Sequence, residues 1–148
     1  MGGRNFFPRV TVGCVIEQDS RFLLVEELIG GRLVLNQPAG HLDPGESLIE
    51  AARRETLEET GYSVEPWALV GVYQLDVRQR HFVRFSFAAK VLAHDPEREL
   101  DVGIRRALWL SRDEIAARAN LRTSMVLRSI DDYLQGHRAP LELLSHLG

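Results

Sequence analysis

Apolar residues alternate or run continuously over VTVGCVIEQ (10–18) and RFLLVEELI (21–29). With Asp19 and Ser20 between them, the pattern predicts two strands joined by a tight turn. Gly30 and Gly31 mark the next reversal, and RLVLNQP (32–38) predicts a third short strand. DPGES (43–47) is turn chemistry, and Ser47 followed by Glu50 is a capping-box pattern that starts a helix at about Ser47. Leu48, Ala51, Ala52 and Leu57 give this helix a buried side, and Gly61 stops it. PWALVGVYQLDV (66–77) and HFVRFSFAAKVL (81–92) flank RQR and predict a hairpin. The polar stretch AHDPERELD (93–101) leads to a strand at RRALWL (105–110). SRDE (111–114) repeats the capping-box pattern at a short helix, and SMVLRSIDDYLQ (124–135) is a longer amphipathic helix stopped by Gly136. Strands interrupted by one early helix and followed by helices predict an α/β fold, with a mixed β-sheet packed between helices.

Composition narrows the class. The 148 residues, 45% hydrophobic and 26% charged, suit one domain spanning 1–148 with its core at about 8–135. A net charge of -3 with scattered arginines gives no footprint for a nucleic-acid polymer or an anionic membrane, so an anionic substrate needs local help. Cys14 alternates with Val10, Val12 and Ile16 and reads as a small core residue. The opening MGGRNFFPRV contains no apolar leader and Phe6 spoils a myristoylation pattern, which sets the expectation of a cytoplasmic protein, monomer or homodimer.

One helix breaks two local rules. In RRETLEETG (53–61), Glu55, Glu58 and Glu59 stand at i, i+3 and i+4, which gathers three like charges on one face. Glu58 and Glu59 also lie in the last turn, where the backbone dipole is already negative. Each dipole placement costs roughly 0.3–1 kcal/mol at low salt, with a few tenths more for each like-charge pair. An offsetting positive charge is therefore expected. Clustered carboxylates are what Mg²⁺ binds together with water and substrate phosphate, and a pyrophosphate would be repelled by an acidic site without such a cation.

Residues 40–62, GHLDPGESLIEAARRETLEETGY, hold Gly40, Glu46, Arg54, Glu55, Glu58, Glu59 and Gly61 at the separations of the Nudix box, which this stretch resembles. Thr56 departs from the apolar position of that pattern, and Tyr62 is acceptable at its last. The likeness extends from about Val10 to Leu144 and, within the Nudix hydrolase family, resembles the phosphatase NudJ group through TVGCVIEQDSRFLLVEE, NQPAGHL and residues 119–144. Ala39 stands where the broad family usually has glycine. The resemblance implies a Nudix-type α/β/α sandwich. It further implies metal ligation by Glu55, Glu58 and Glu59 with help from a backbone carbonyl near Ala39 and Gly40, and a base drawn from these acids or a later carboxylate. Mg²⁺ is the implied cofactor, with Mn²⁺ as substitute. Glu46 and Arg54 are expected to form an ion pair that holds loop and helix in register.

Glu97, Glu99 and Asp101, in the acidic loop, are the candidate remote bases. Candidate substrate residues are Leu35, which stands where tryptophan is expected in that group, together with Gln37, Tyr73 as a pocket wall and Arg84 as a phosphate grip. Phe85 and Phe87 share one face and read as core, as does Trp109. The implied activity is phosphoanhydride hydrolysis of nucleoside tri- or diphosphates, or of hydroxymethylpyrimidine or thiamine pyrophosphate, releasing orthophosphate. Alternatives are an ADP-ribose or nucleotide-sugar pyrophosphatase, and a Nudix-fold module that binds a diphosphate without cleaving it.

Overall fold

The computed structural model describes residues 6–148; MGGRN at 1–5, which belongs to the opening read above, lies outside the described residues. Strand β1 (Arg9–Gln18) turns back through Asp19 and Ser20 into β2 (Arg21–Ile29), and both turn residues are left-handed, with φ 52° and 62°. This two-residue geometry matches the natural twist of paired strands. The two strands remain paired only beside the turn, at Glu17↔Phe22 and Gln18↔Arg21. Beyond it they part and take new antiparallel partners: β2 pairs with β3 (Arg32–Asn36), and β1 with the short β4 (Ala39–His41). Gln37 and Pro38 therefore cross the opening between β1 and β2, where the Pro38 carbonyl accepts the Cys14 N–H at 3.1 Å. The sequence pattern merges 32–38 into one strand and misses β4, because three residues are too few to carry a period.

After the helix α1 (Leu48–Thr60) come β5 (Tyr62–Val77), β6 (Arg80–His94) and β7 (Ile104–Ser111). They complete a 7-stranded sheet ordered β3-β2-β1-β6-β5, with β4 on β1 and β7 on β2. β1 and β6 run parallel, and the other pairs are antiparallel. β5 begins at Tyr62 rather than at 66. Pro66 does not end it, because β5 is an edge strand and its register shifts between Pro66 and Ala68. Its hairpin to β6 turns on Arg78 and Gln79, leaving Arg80 in the strand.

Successive side chains of β1 serve opposite cores. Val12, Cys14 and Ile16 join Leu23 and Phe87 against Ala51 and Ala52 of α1. Val15 joins Phe22, Leu24 and Leu35 against Val126 and Ile130 of the helix Met125–Leu134. That helix is α3; the short α2 (Arg112–Ala116) precedes it, and a single 3-10 turn, Leu141–Leu143, follows. Burying Thr11 through Ile16 on both faces makes β1 the centre of a mixed sheet between helices. Among the described residues no helix is long and apolar enough to cross a membrane.

Local capping sets the ends of α1. Ser47 accepts the Glu50 N–H at 3.1 Å, while the Glu50 side chain is exposed; the full reciprocal box forms instead at Ser111 and Glu114 on α2. Thr56 is fully buried at the position where the Nudix pattern wants an apolar residue, and Leu57, expected inside, is only half-buried. At the other end Gly61 has φ 76°, donates to the Leu57 carbonyl and accepts the Asp95 N–H, both at 2.9 Å. A Cβ at Gly61 would stand 2.7 Å from the Asp95 carbonyl oxygen. Gly61→Ala should therefore cost about 1–3 kcal/mol, from the left-handed backbone and this contact together. Urea unfolding of the two proteins measures the loss.

Candidate active site and metal centre

Arg54, nearly two turns into α1, meets the loop that precedes its own helix. Its Nε donates to Glu46 Oε2 at 2.6 Å and its Nη2 to Glu46 Oε1 at 3.0 Å, a bidentate pair. Nη2 also donates to the His41 carbonyl at 3.0 Å and lies 3.4 Å from Asp43. Nη1 donates to Glu55 Oε1 at 2.9 Å and lies 3.4 Å from Glu58 Oε2. Hydrogen bonding to Arg54 holds the Glu46 carboxyl below its usual range, and Glu46 chiefly raises the Arg54 guanidinium. The offsetting charge for Glu55 and Glu58 is thus within the helix itself.

The acids divide in two. Glu55 lies over Gly40, where any Cβ would overlap its carboxylate. Asp101 donates its N–H to the Glu58 carbonyl at 3.0 Å, capping the last turn of α1 and delivering its own carboxylate there. One oxygen each from Glu55, Glu58 and Asp101 then lies within 4.8 Å of the others. Glu59 is not in this group: it turns inward, is 8% exposed, and accepts the Ala39 N–H at 2.9 Å. Of the three glutamates expected to gather, Glu55 and Glu58 meet Asp101, while the β4 amide gives Glu59 a buried partner that α1 alone does not offer. Glu97 and Glu99 are exposed and remain outside the group that Asp101 joins.

Three converging carboxylates, one of them lying over Gly40, fit a hard divalent cation. Without one, burial raises the Glu55 carboxyl above its usual range, opposed by Arg54. Burial pushes Glu59 up to about 8, with the Ala39 N–H opposing and Glu55 among the charges that add to the rise.

The proposed substrate residues fare differently. Leu35 is fully buried in the α3-side core, its N–H donating to the Asn120 carbonyl and its carbonyl accepting the Arg122 N–H, so it offers no wall to a base. Gln37 is 1% exposed and neither atom of its amide group has a partner. Tyr73 is half-buried, its hydroxyl donating to Asp132 at 2.7 Å. Arg84 is buried and donates from Nε to Thr11 at 2.7 Å. Sequence reasoning missed Asp43, the Ala39 amide, Thr11 and Gly13; only the alternation of Thr11 and Gly13 with the apolar residues of β1 signalled a polar opening on one face.

A mixed sheet between helices, carrying a carboxylate cluster and an Arg-Glu clamp on a loop and helix, is the arrangement of the Nudix class. Residues 7–129 match the NUDIX domain, and the chain belongs to that family as a Nudix hydrolase. It is 42% identical to Phosphatase NudJ of Escherichia coli K12 over 140 residues, 94% of this chain and 92% of the relative. A NUDIX hydrolase from Nitrosomonas europaea superposes with TM-score 0.94 at 50% identity, covering 95% of this chain and 98% of that one. An ADP-ribose pyrophosphatase from Streptococcus suis shares the fold at TM-score 0.69 and 18% identity, over 90% and 96% of the two chains.

Glu59 yields a pH prediction for the metal-free protein. Its carboxyl is raised from 4.5 to about 8, so the folded state holds a proton that the unfolded chain releases first. Stability contributed by that proton is present at pH 4.5 and below and is lost as pH rises toward about 8, by up to about 1.4 kcal/mol per pH unit. Thermal melts in chelator should fall over this window, and Glu59→Gln should flatten the fall.

Proposed function

We propose that this Nudix hydrolase attacks a phosphoanhydride of a nucleoside tri- or diphosphate, or of hydroxymethylpyrimidine or thiamine pyrophosphate, and releases orthophosphate. The observation that carries this reading is the meeting of Glu55, Glu58 and Asp101 within 4.8 Å. The 42% identity to a protein named as a phosphatase, over 94% of the chain, supports the choice of orthophosphate as product. Glu55, Glu58 and Asp101 would hold Mg²⁺ or Mn²⁺, with a carbonyl of Ala39 or Gly40 as a further ligand. When bound, such an ion neutralises phosphate charge and acidifies a coordinated water.

The chain's own residues supply the rest. Arg54, braced by Glu46, keeps the Glu55 and Glu58 carboxylates aimed and stops them from repelling each other apart. Gly40 leaves room for Glu55 beside the reacting group. Glu59, with one oxygen fixed by the Ala39 N–H, is assigned the proton of the attacking water, because it is held next to the cluster in a setting that favours its protonated form.

Phosphate release from GTP, GDP, hydroxymethylpyrimidine pyrophosphate and ADP-ribose, with and without Mg²⁺, tests the reading. Orthophosphate is expected from one of the first three; AMP and ribose phosphate from ADP-ribose, with no orthophosphate elsewhere, would replace the reading, and no turnover at all would end it. Glu58→Gln and Glu59→Gln should each lower kcat by about 10²-fold or more, since metal and proton-transfer contributions are of that size. Only Glu59→Gln should also remove the acid limb of the pH–rate profile.

A further inference from the structure

Arg84 carries a buried charge that no carboxylate of the described residues contacts directly; Glu59 supports it from a distance. It lies on β6 between Thr11 of β1 and Tyr73 of β5, its register partners, and is 7% exposed. Among the described residues its guanidinium makes one hydrogen bond, from Nε to Thr11 Oγ1 at 2.7 Å, and no ion pair. Asp132, the buried carboxylate across the same face, already has Tyr73, Arg128 and His137 around it. A buried cation with most of its donors idle is costly unless something completes it.

The geometry indicates what completes it. Arg84 Nη1 stands 2.8 Å from the position a Cβ on Gly13 would take, and the Ala39 Cβ lies 3.5 Å from that same position. Ala39 is the residue whose N–H holds Glu59, so the guanidinium lies across the strand pair Gly13↔Ala39 from Glu59. Arg84 as a whole keeps 7% of its surface exposed. A planar fork of idle N–H donors matches the oxygens of a phosphoryl group, and Glu59, across the strand pair, is the acid within electrostatic reach of it.

We propose that Arg84 is the anchor for the second phosphoryl group of a di- or triphosphate, bound through its Nη edge, and that Gly13 is glycine because that edge needs the space. This rests on the phosphoanhydride reading above. It predicts that Arg84 acts on substrate affinity rather than on metal affinity.

The test uses the full chain with Mg²⁺ and methylenediphosphonate, a diphosphate that cannot be hydrolysed. Calorimetry should give a wild-type affinity that falls about tenfold or more in Arg84→Gln and in Gly13→Ala, and by a smaller factor in Arg84→Lys, which keeps the charge without the fork. KM for the cleaved substrate should rise with it, while kcat and the Mg²⁺ half-saturation move less than about twofold. The melting temperature of free Arg84→Gln should not fall, since an unpartnered buried charge is removed. Affinity and KM within about twofold of wild type in folded variants would overturn the proposal. So would a loss that follows weakened Mg²⁺ binding, which would make Arg84 a counter-charge for Glu59. If Arg84→Gln does not fold, Arg84→Lys and Gly13→Ala decide by the same criteria. Wild type that hydrolyses a phosphoanhydride while the variants keep their KM sinks this inference alone; wild type that neither hydrolyses one nor binds methylenediphosphonate sinks the functional reading with it.

Discussion

Arg54 places one positive charge among Asp43, Glu46, Glu55 and Glu58, and the loop, the helix and the acid cluster keep their relative positions because its guanidinium has a bonding direction for each. Its Nε and Nη2 edge is committed to Glu46, which leaves Nη1 for Glu55 and Glu58. A lysine could not do this, since a point charge has no fork with which to hold Glu46 and still face the other two acids. The mutual repulsion of the acids on the helix is thereby contained before any cation arrives, and the site stays assembled.

The C-terminal end of α1 is a second junction. Its unpaired carbonyls are taken by Gly61, which donates to Leu57, and by Asp101, which donates to Glu58. One backbone hydrogen bond thus caps a helix and brings a remote carboxylate to the cluster. The same turn ties Gly61 to Asp95 at the start of the loop, so the loop is held at both ends. Stability of the helix end and composition of the site are set by the same contacts.

The sheet divides the chemistry between its faces. β1 and β2 separate just after their hairpin, and the chain crossing that gap supplies the Ala39 amide to Glu59. Beneath it, on the side where α3 packs, lies Arg84. A buried acid that favours its proton and a buried guanidinium pushed down to about 10 by desolvation sit on either side of one strand pair. Neither arrangement favours the fold of the free protein, and both suit a site that meets a cation and an anion together.

Much of the architecture was legible in the sequence because it is periodic or local. Alternation marked β1 and β2, the capping residues Ser47 and Gly61 bounded α1, and the spacing of Glu46, Arg54, Glu55, Glu58 and Glu59 identified the box. β4 was too short to have a period, and Pro66 hid the first part of β5 because edge position is a property of the sheet, not of the residue. Leu35 reads the same in a pocket wall as in a core; its burial depended on the pairing with Asn120 and Arg122 from the far end of the chain. The sequence by itself determined that acids, an arginine and a glycine-bounded helix would come together, since their spacing lies within a few helical turns. Only the tertiary structure decided that Asp101 joins Glu55 and Glu58 while Glu59 turns away to Ala39. That choice is made by two long-range backbone amides, and backbone amides leave no mark in the identity of the residues that carry them.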